Sequence, residues 1–209
     1  MARKLRPLGP DHLSMLPCEC TGCVFWESAE KLERRCGSAC DEQRLREWYD
    51  TVAREWGECG RVALEDHSVL GFVKYAPPRY LPQSLNFRAG PPAEDAVLLA
   101  CLHIRDDARQ HGLGTLLLRA ALRDLALRGE RHVQAYARAH RGDMGYEPVV
   151  GMEFLLRNGF TVARPDPEYP LLKLDLRSLV TIGENIEAAL QALRIPLRHP
   201  KGVPTPFIK

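Results

Sequence analysis

The sequence lacks any long apolar run, since none approaches the roughly 18 residues that a membrane-spanning helix needs. It also lacks an apolar stretch behind the basic residues Arg3, Lys4 and Arg6, so we predict no signal peptide, no membrane partner and a cytoplasmic location. An excess of one charge is missing too, because 29 basic and 27 acidic side chains leave a net charge of +2. That balance gives no electrostatic basis for nucleic-acid binding.

Cysteine, by contrast, is plentiful. Five of the seven cysteines form two clusters: Cys18, Cys20 and Cys23, then Cys36 and Cys40. The odd count and the missing secretion signal favour reduced thiols over a disulfide framework. The spacings Cys20-x2-Cys23 and Cys36-x3-Cys40 are compatible with a structural zinc ion held by four thiolates. We favour free thiols over a zinc site and assign no residue as a metal ligand.

Apolar periodicity and turn residues predict a mixed sheet with helices packed on it, of the α/β or α+β class. We expect strands at 4–8, 61–65, 69–75, 96–104, 132–137, 160–164 and 171–176, and helices at 11–15, 41–56, 113–127 and 148–158. One domain would cover 1–176, with a cysteine-rich insertion at about 17–40 and a proline-rich loop at 77–95 that is either functional or mobile. Residues 177–209 would form a C-terminal helix, Glu184 to Leu193, and a proline-containing tail.

The segment from Arg109 to Thr115 stands between a strongly apolar strand and a leucine-striped helix. A helix N-terminus leaves backbone N–H groups without partners, and the helix dipole favours negative charge there. Gly112 and Gly114 have no side chains, so an anion can approach the backbone closely. The pattern therefore predicts a phosphate-binding turn.

Two common phosphate-binding motifs do not fit this turn. A P-loop needs a lysine after its last glycine, whereas Thr115 follows Gly114 directly. The dinucleotide-binding fingerprint needs a third glycine where Leu117 stands, and an acidic residue at the end of the next strand, which closes instead with Tyr136 and Ala137. A third motif, Gln/Arg-x-x-Gly-x-Gly/Ala, matches Arg109 to Gly114 in full.

That motif belongs to acyl-CoA-dependent acetyltransferases, and the chain resembles the GNAT superfamily (Gcn5-related N-acetyltransferases). The resemblance extends in order from Leu5-Arg6-Pro7-Leu8 through the strand Gly71 to Tyr75, and on to Phe154 to Phe160. It implies the GNAT-like acyltransferase fold, a mixed, mostly antiparallel central sheet flanked by helices. It also implies acetyl-CoA as co-substrate, bound by the backbone of one strand and by the amides of the turn. The residues so implied are Leu102, His103, Ile104, Arg109, Gln110, His111, Gly112, Leu113, Gly114 and Thr115.

The residues that members of this family often use for proton transfer are absent. The strand position that often carries a glutamate base is Leu98, and the helix position that often carries a tyrosine acid is Leu155. Tyr146 and His103 are the candidates that we name as acid and base, with Glu147, Glu153 and Glu94 behind them. Direct attack by a well-positioned amine is a further alternative.

The resemblance implies an N-acetyltransferase that moves an acetyl group from acetyl-CoA to a primary amine of a small molecule or peptide. The alternative is a non-catalytic acyl-CoA-binding module that keeps the turn without the acid and base. A homodimer stays open, and nothing in the composition names the acceptor.

Overall fold

The computed structural model describes residues 3–17, 19–30, 40–140 and 147–177. The predicted helix Glu184 to Leu193, the tail, Tyr146, Cys18 and Cys36 lie outside these ranges, so the boundary between 176 and 177 stays a prediction. The strands are β1 (Arg3–Pro7), β2 (Gly60–Glu65), β3 (Ser68–Ala76), β4 (Ala96–Ile104), β5 (His132–Arg138), β6 (Val150–Gly151), β7 (Thr161–Arg164) and β8 (Leu171–Asp175). The helices are α1 (Glu42–Glu55), α2 (Leu113–Leu127) and α3 (Met152–Arg157).

The strands form one mixed sheet in the order β1-β2-β3-β4-β5-β8-β7, with β6 beside β5. The pairs β4–β5 and β5–β6 are parallel and the others are antiparallel. The predicted mixed, mostly antiparallel sheet is therefore confirmed. In the described part of the chain, no helix is long and apolar enough to cross a membrane.

A β-bulge changes the direction of side chains in the central strand. Lys74 pairs with Cys101 while its neighbour Tyr75 pairs with Leu99, so Ala100 is an extra residue in β4. Ala100 and Cys101 both lie on the face that carries α1, whereas Leu99 lies on the α2 face. The alternation then resumes with Leu102 on the α2 face.

Helix α2 covers one face of the sheet with the leucine stripe that the sequence predicts. Its buried residues are Leu113, Leu116, Leu117, Leu118, Ala121, Leu122 and Leu125. Full burial of one such leucine contributes about 1.5–3 kcal/mol. Helix α1 lies on the other face and begins where the sequence predicts, because the Asp41 side chain accepts a hydrogen bond from the Arg44 amide at 2.9 Å.

The cysteine-rich segment and the proline-rich loop pack together on the α1 face. Trp26 is almost fully buried, stacks on Phe87 at 5.5 Å, and donates from its indole to the Pro148 carbonyl at 2.9 Å. Phe87 stacks in turn on Tyr136 at 3.9 Å. The proline-rich loop is therefore anchored by an aromatic stack and includes two short 3-10 helices, Pro78–Tyr80 and Pro82–Asn86.

Two local predictions were wrong. The helix expected from Pro148 begins at Met152, because the residues before it are extended and Val150 and Gly151 pair with β5. The helix expected at 11–15 is a 3-10 helix, Pro10–Met15, which begins one residue earlier and has Gly9 as its N-cap.

Candidate active site

A groove opens on the α2 side where the two central parallel strands separate. The register pairs of β4 and β5 are Ala96–His132, Val97–Val133 and Leu98–Gln134, all in the first third of β4. The groove beyond them has a volume of about 510 Å³. Its walls are Leu102, Ile104, Ala108, Arg109, Gln110, Gly112, Leu113, Gly114, Thr115, Arg138, Val149, Val150, Gly151, Phe154 and Arg157.

One end of the groove is the N-terminus of α2. The Leu116 amide bonds to the Gly112 carbonyl at 3.0 Å as the helix starts, and no side chain caps the N-terminus. The first amides of a helix, here those of Leu113, Gly114 and Thr115, have no acceptor within the helix. The helix dipole also gives the N-terminus of α2 a partial positive charge.

The turn into α2 has the backbone geometry of an anion-binding loop. Gln110 has φ of 65° and Gly112 has φ of 74°, and Arg109 before them is extended. Backbone N–H groups in turn conformations form concave surfaces that bind anions. A Cβ at Gly112 would meet no atom within 4 Å, so the glycine is required by its dihedral angles and faces open space.

Three arginines line the groove and supply positive charge, and each is paired with an acid. Arg109 contacts Asp106 at 2.9 Å, Arg138 contacts Glu147 at 3.9 Å, and Arg157 contacts Glu153 at 3.6 Å. The exposed fractions of the three arginine side chains are 48%, 25% and 70%. Guanidinium groups bind phosphate oxygens well, so the groove suits a phosphorylated ligand.

The structure brings most of the predicted cofactor-binding residues together in this groove. Leu102, Ile104, Arg109, Gln110, Gly112, Leu113, Gly114 and Thr115 all line it. His111 lies on the exposed turn beside it, with its Nδ1 atom 2.6 Å from the Arg109 carbonyl oxygen. Their roles in binding stay predictions.

Of the two predicted catalytic residues, the structure describes His103 but not Tyr146. The His103 side chain points to the α1 face, stacks on Phe72 at 5.9 Å and lies 3.9 Å from the Cys20 sulfur. It is thus buried away from the groove, although its backbone belongs to the strand that borders it. Tyr146 lies outside the described residues. Leu98 and Leu155 are fully buried and apolar, so neither can transfer a proton.

The described cysteines of the possible zinc site lie in different environments. Cys20 and Cys23 are buried on the α1 face, whereas Cys40 is exposed and donates from its thiol to the Thr21 carbonyl. In the ranges that the structure describes, no group of three or more ligand side chains could hold a metal ion. Zinc therefore gains no support from the described cysteines, and Cys36 lies outside them.

Sequence reasoning missed a buried ion pair on the α1 face. Lys74 Nζ lies 2.7 Å from Glu27 Oε1, with exposed side-chain fractions of 6% and 2%. Burial alone would lower the pKa of Lys74, but the Glu27 carboxylate raises it above its ordinary value, so the Lys74 ammonium is charged. The available signal was a lysine inside an otherwise apolar strand.

The same face holds a small cavity of about 20 Å³, roughly the space of one water molecule. Cys20, Cys23, Cys101 and Lys74 are among its walls. The α1 side of the central strand is thus packed core, whereas the α2 side holds the groove.

A mixed sheet whose central parallel strands separate beside an uncapped helix N-terminus defines the GNAT acyltransferase fold. The profile of the acetyltransferase (GNAT) family matches residues 25–142, more than half of the chain. The chain therefore belongs to the GNAT family of acetyltransferases, as its resemblance implied, and the protein is an acyltransferase. Among curated proteins, no sequence matches it.

Solved structures share the fold at low sequence identity. An N-acetyltransferase from Staphylococcus aureus Mu50 is 16% identical over 84% of this chain and 99% of its own, with a TM-score of 0.57. YncA from Salmonella typhimurium, solved with acetyl-CoA, is 15% identical over 84% of this chain and 95% of its own, with a TM-score of 0.55. GphF, a GNAT-like decarboxylase in complex with isobutyryl-CoA, is 20% identical over 83% and 100%, with a TM-score of 0.55.

Proposed function

We propose that this protein moves an acetyl group from acetyl-CoA to a primary amine of a small molecule or peptide. The observation that carries the proposal is the groove between β4 and α3 that ends at the uncapped N-terminus of α2. Membership of the GNAT family supplies the reaction class. The complex of YncA with acetyl-CoA is in keeping with the choice of donor.

The residues present fit the donor. The amides of Leu113, Gly114 and Thr115 would donate hydrogen bonds to the pyrophosphate, and the space in front of Gly112 leaves room for its oxygens. Arg109 and Arg157 would add charge to the phosphate end. As the family resemblance implies, the backbone of β4 from Leu102 onward would bind the pantetheine arm. Acetyl-CoA supplies an activated thioester, and the protein supplies its position and the handling of protons.

Transfer to an amine requires a neutral nitrogen, a polarised carbonyl group and a proton for the departing sulfur. With leucine at positions 98 and 155, positioning of the two substrates supplies a large share of the rate. Proton transfer would then fall to groups outside those two positions.

A thiol-release assay with acetyl-CoA and a broad amine panel tests the proposal. The panel would hold amino acids, polyamines, aminoglycosides and lysine peptides, with N-acetylated product identified by mass spectrometry. We expect CoA release that depends on one class of amine. A protein that binds acetyl-CoA but yields no product with any amine would favour the non-catalytic acyl-CoA-binding alternative.

The acyl donor can be tested in the same assay. Isobutyryl-CoA, the ligand of the similarly folded GphF, is the informative competitor. We expect acetyl-CoA to give the higher kcat/KM. A higher kcat/KM for isobutyryl-CoA would contradict acetyl as the transferred group.

Tyr146→Phe tests the tyrosine that the sequence nominates as acid. Removing the phenol proton should lower kcat with little change in the affinity for acetyl-CoA, because general acids contribute to the chemical step. An unchanged kcat would remove Tyr146 from that role.

A further inference from the structure

Glu147 lies where the chain passes from the α1 face to the groove. Pro148, the next residue, lines the small cavity on the α1 face, and Val149 lines the groove. The Glu147 carboxylate contacts Arg138, which also lines the groove, and its side chain is 14% exposed. A largely shielded carboxylate therefore contacts an arginine of the groove wall, and it lies two residues before another groove residue, Val149.

Two other elements hold this carboxylate in place. Tyr169, in the connection between β7 and β8, donates its phenol to Glu147 Oε2 at 3.3 Å. Arg138, at the end of β5, lies 3.9 Å from the same oxygen. Tyr169 is itself fixed, because its amide donates to Asp166 at 2.8 Å and its ring packs edge-on against Phe87. The Tyr169 phenol and the Arg138 guanidinium thus contact the same carboxylate oxygen and fix its orientation.

The other carboxylates around the groove are more exposed, line another cavity or already pair with a buried lysine. Glu153 and Asp106 are 78% and 86% exposed and pair with groove arginines at the surface. Glu94 lines a different cavity, beside the first residues of β4, with Asp95 and Glu130. Glu27 already holds the buried Lys74.

We propose that Glu147 is the general base that takes a proton from the acceptor amine, an inference that rests on the proposed acetyl transfer. The ammonium nitrogen gives one proton to the Glu147 carboxylate and forms the C–N bond with the acyl carbon. As the C–S bond breaks, that nitrogen loses its second proton and the departing sulfur gains one, either directly or through a protein acid. The carboxylic acid then returns its proton to water.

Tyr169 and Arg138 are positioning residues in this scheme. They orient the carboxylate toward one position. The substrate class that follows from a base at this place is an amine that is cationic at neutral pH. Such an amine needs a base, whereas an amine that is already neutral does not.

Glu147→Gln is the decisive variant, because the amide keeps the size of the side chain and an oxygen that can accept the Tyr169 hydrogen bond. With an alkylamine acceptor at neutral pH we expect kcat to fall about 100-fold, while the Kd for acetyl-CoA changes less than twofold. Raising the pH should restore much of the rate, because more of the amine is then neutral without a base. Glu168→Gln removes the same charge from an exposed neighbour of Tyr169 and should leave kcat unchanged.

Tyr169→Phe should lower kcat less than Glu147→Gln does and should leave the KM for acetyl-CoA unchanged. A Glu147→Gln protein that binds acetyl-CoA normally and keeps the wild-type kcat at neutral pH would overturn the assignment. Failure of the wild-type protein to acetylate any amine would instead defeat the proposed function, so the two failures are distinguishable.

Discussion

Cys101 and Leu102 are consecutive residues in β4, yet they face regions of opposite character. Leu102 lines an open groove with three arginines and a helix N-terminus. Cys101 lines a small cavity among buried residues, with Lys74 and two further thiols. On the groove side, positive charge is partly exposed and the amides of the α2 N-terminus have no acceptor within the helix. On the other side, charge is buried and paired within the chain.

The two faces of β4 therefore serve different purposes: we expect one to bind a ligand and the other to stabilise the fold. Groups on the groove side are arranged for a ligand, so changes there should alter affinity more than folding. Groups on the cavity side complete the core, so changes there should alter folding more than affinity. Each of the following experiments tests that division.

The largest effect is expected on the cavity side. Lys74→Met leaves the Glu27 carboxylate buried without its cation, which should cost about 3–5 kcal/mol of unfolding free energy in a denaturant titration. The affinity of the folded protein for acetyl-CoA should not change.

The double variant Glu27→Leu with Lys74→Met is the control. It removes both charges and leaves none uncompensated, so it should regain most of the lost stability. A double variant as unstable as Lys74→Met alone would show that lost packing, rather than unpaired charge, causes the effect.

Thiol reactivity should differ between the exposed and the buried cysteines. Cys40 is exposed, whereas Cys59 and Cys101 are buried, and burial raises the pKa of the Cys59 thiol to about 12. Because the thiolate is the reactive form, Cys40 should be alkylated at least about tenfold faster at pH 8, as read by peptide mapping. Equal rates would mean that the α1 face opens readily.

Burial of Cys59 also gives a dependence of stability on pH. Its pKa in the folded protein lies above the ordinary thiol value of about 8.5, so folding favours the protonated form. This contribution is complete below about pH 8.5 and is lost as the pH rises toward 12. Cys59→Ala should flatten the decline of unfolding free energy between about pH 8.5 and 10, and an unchanged slope would assign the decline to other groups.

The smallest effect should come from salt. Arg109 and Arg157 are partly exposed, so their attraction for phosphate is screened, and affinity for acetyl-CoA should fall a few-fold between about 50 and about 200 mM salt. The buried Lys74–Glu27 pair is shielded from ions, so the Tm of the protein without ligand should change little. A salt-independent Kd would remove the arginines from phosphate binding.

Local signals in the sequence were enough to predict the groove side. The apolar run of β4, the turn with Gly112 and the leucine stripe gave helix α2 with the bounds that the structure has. The ends of the other main strands and helix α1 also follow from periodicity and turn residues. These features depend on neighbours in the chain, which a single sequence records.

Non-local contacts explain what the sequence did not reveal. Strict alternation would place Leu98, Ala100 and Leu102 on one face, but the bulge at Ala100 turns Leu102 toward the groove and His103 away from it. The sequence predicted that α3 would begin at Pro148. Its actual start depends on the pairing of β6 with β5, a contact that the sequence around Pro148 does not indicate. The contact of Tyr169 with Glu147 likewise joins segments that only the folded chain brings together.

Helix α2 itself offers a matched pair of variants for the central claim, that its N-terminus binds acetyl-CoA. Gly112 and Gly129 flank its two ends, have φ of 74° and 81°, and would each place a Cβ in open space. At the C-terminal end, the Gly129 amide donates a hydrogen bond to the Ala126 carbonyl at 3.0 Å, so this amide already has a partner within the chain. Alanine at either position should therefore cost a similar amount of stability, about 1–2 kcal/mol.

Calorimetric titration of acetyl-CoA into the two variants separates the ends. Gly112→Ala should bind at least about tenfold more weakly than wild type, because the turn that aims the amides is strained and its open space is filled. Gly129→Ala should bind like wild type. Equal affinities for the two variants would contradict the assignment of the groove.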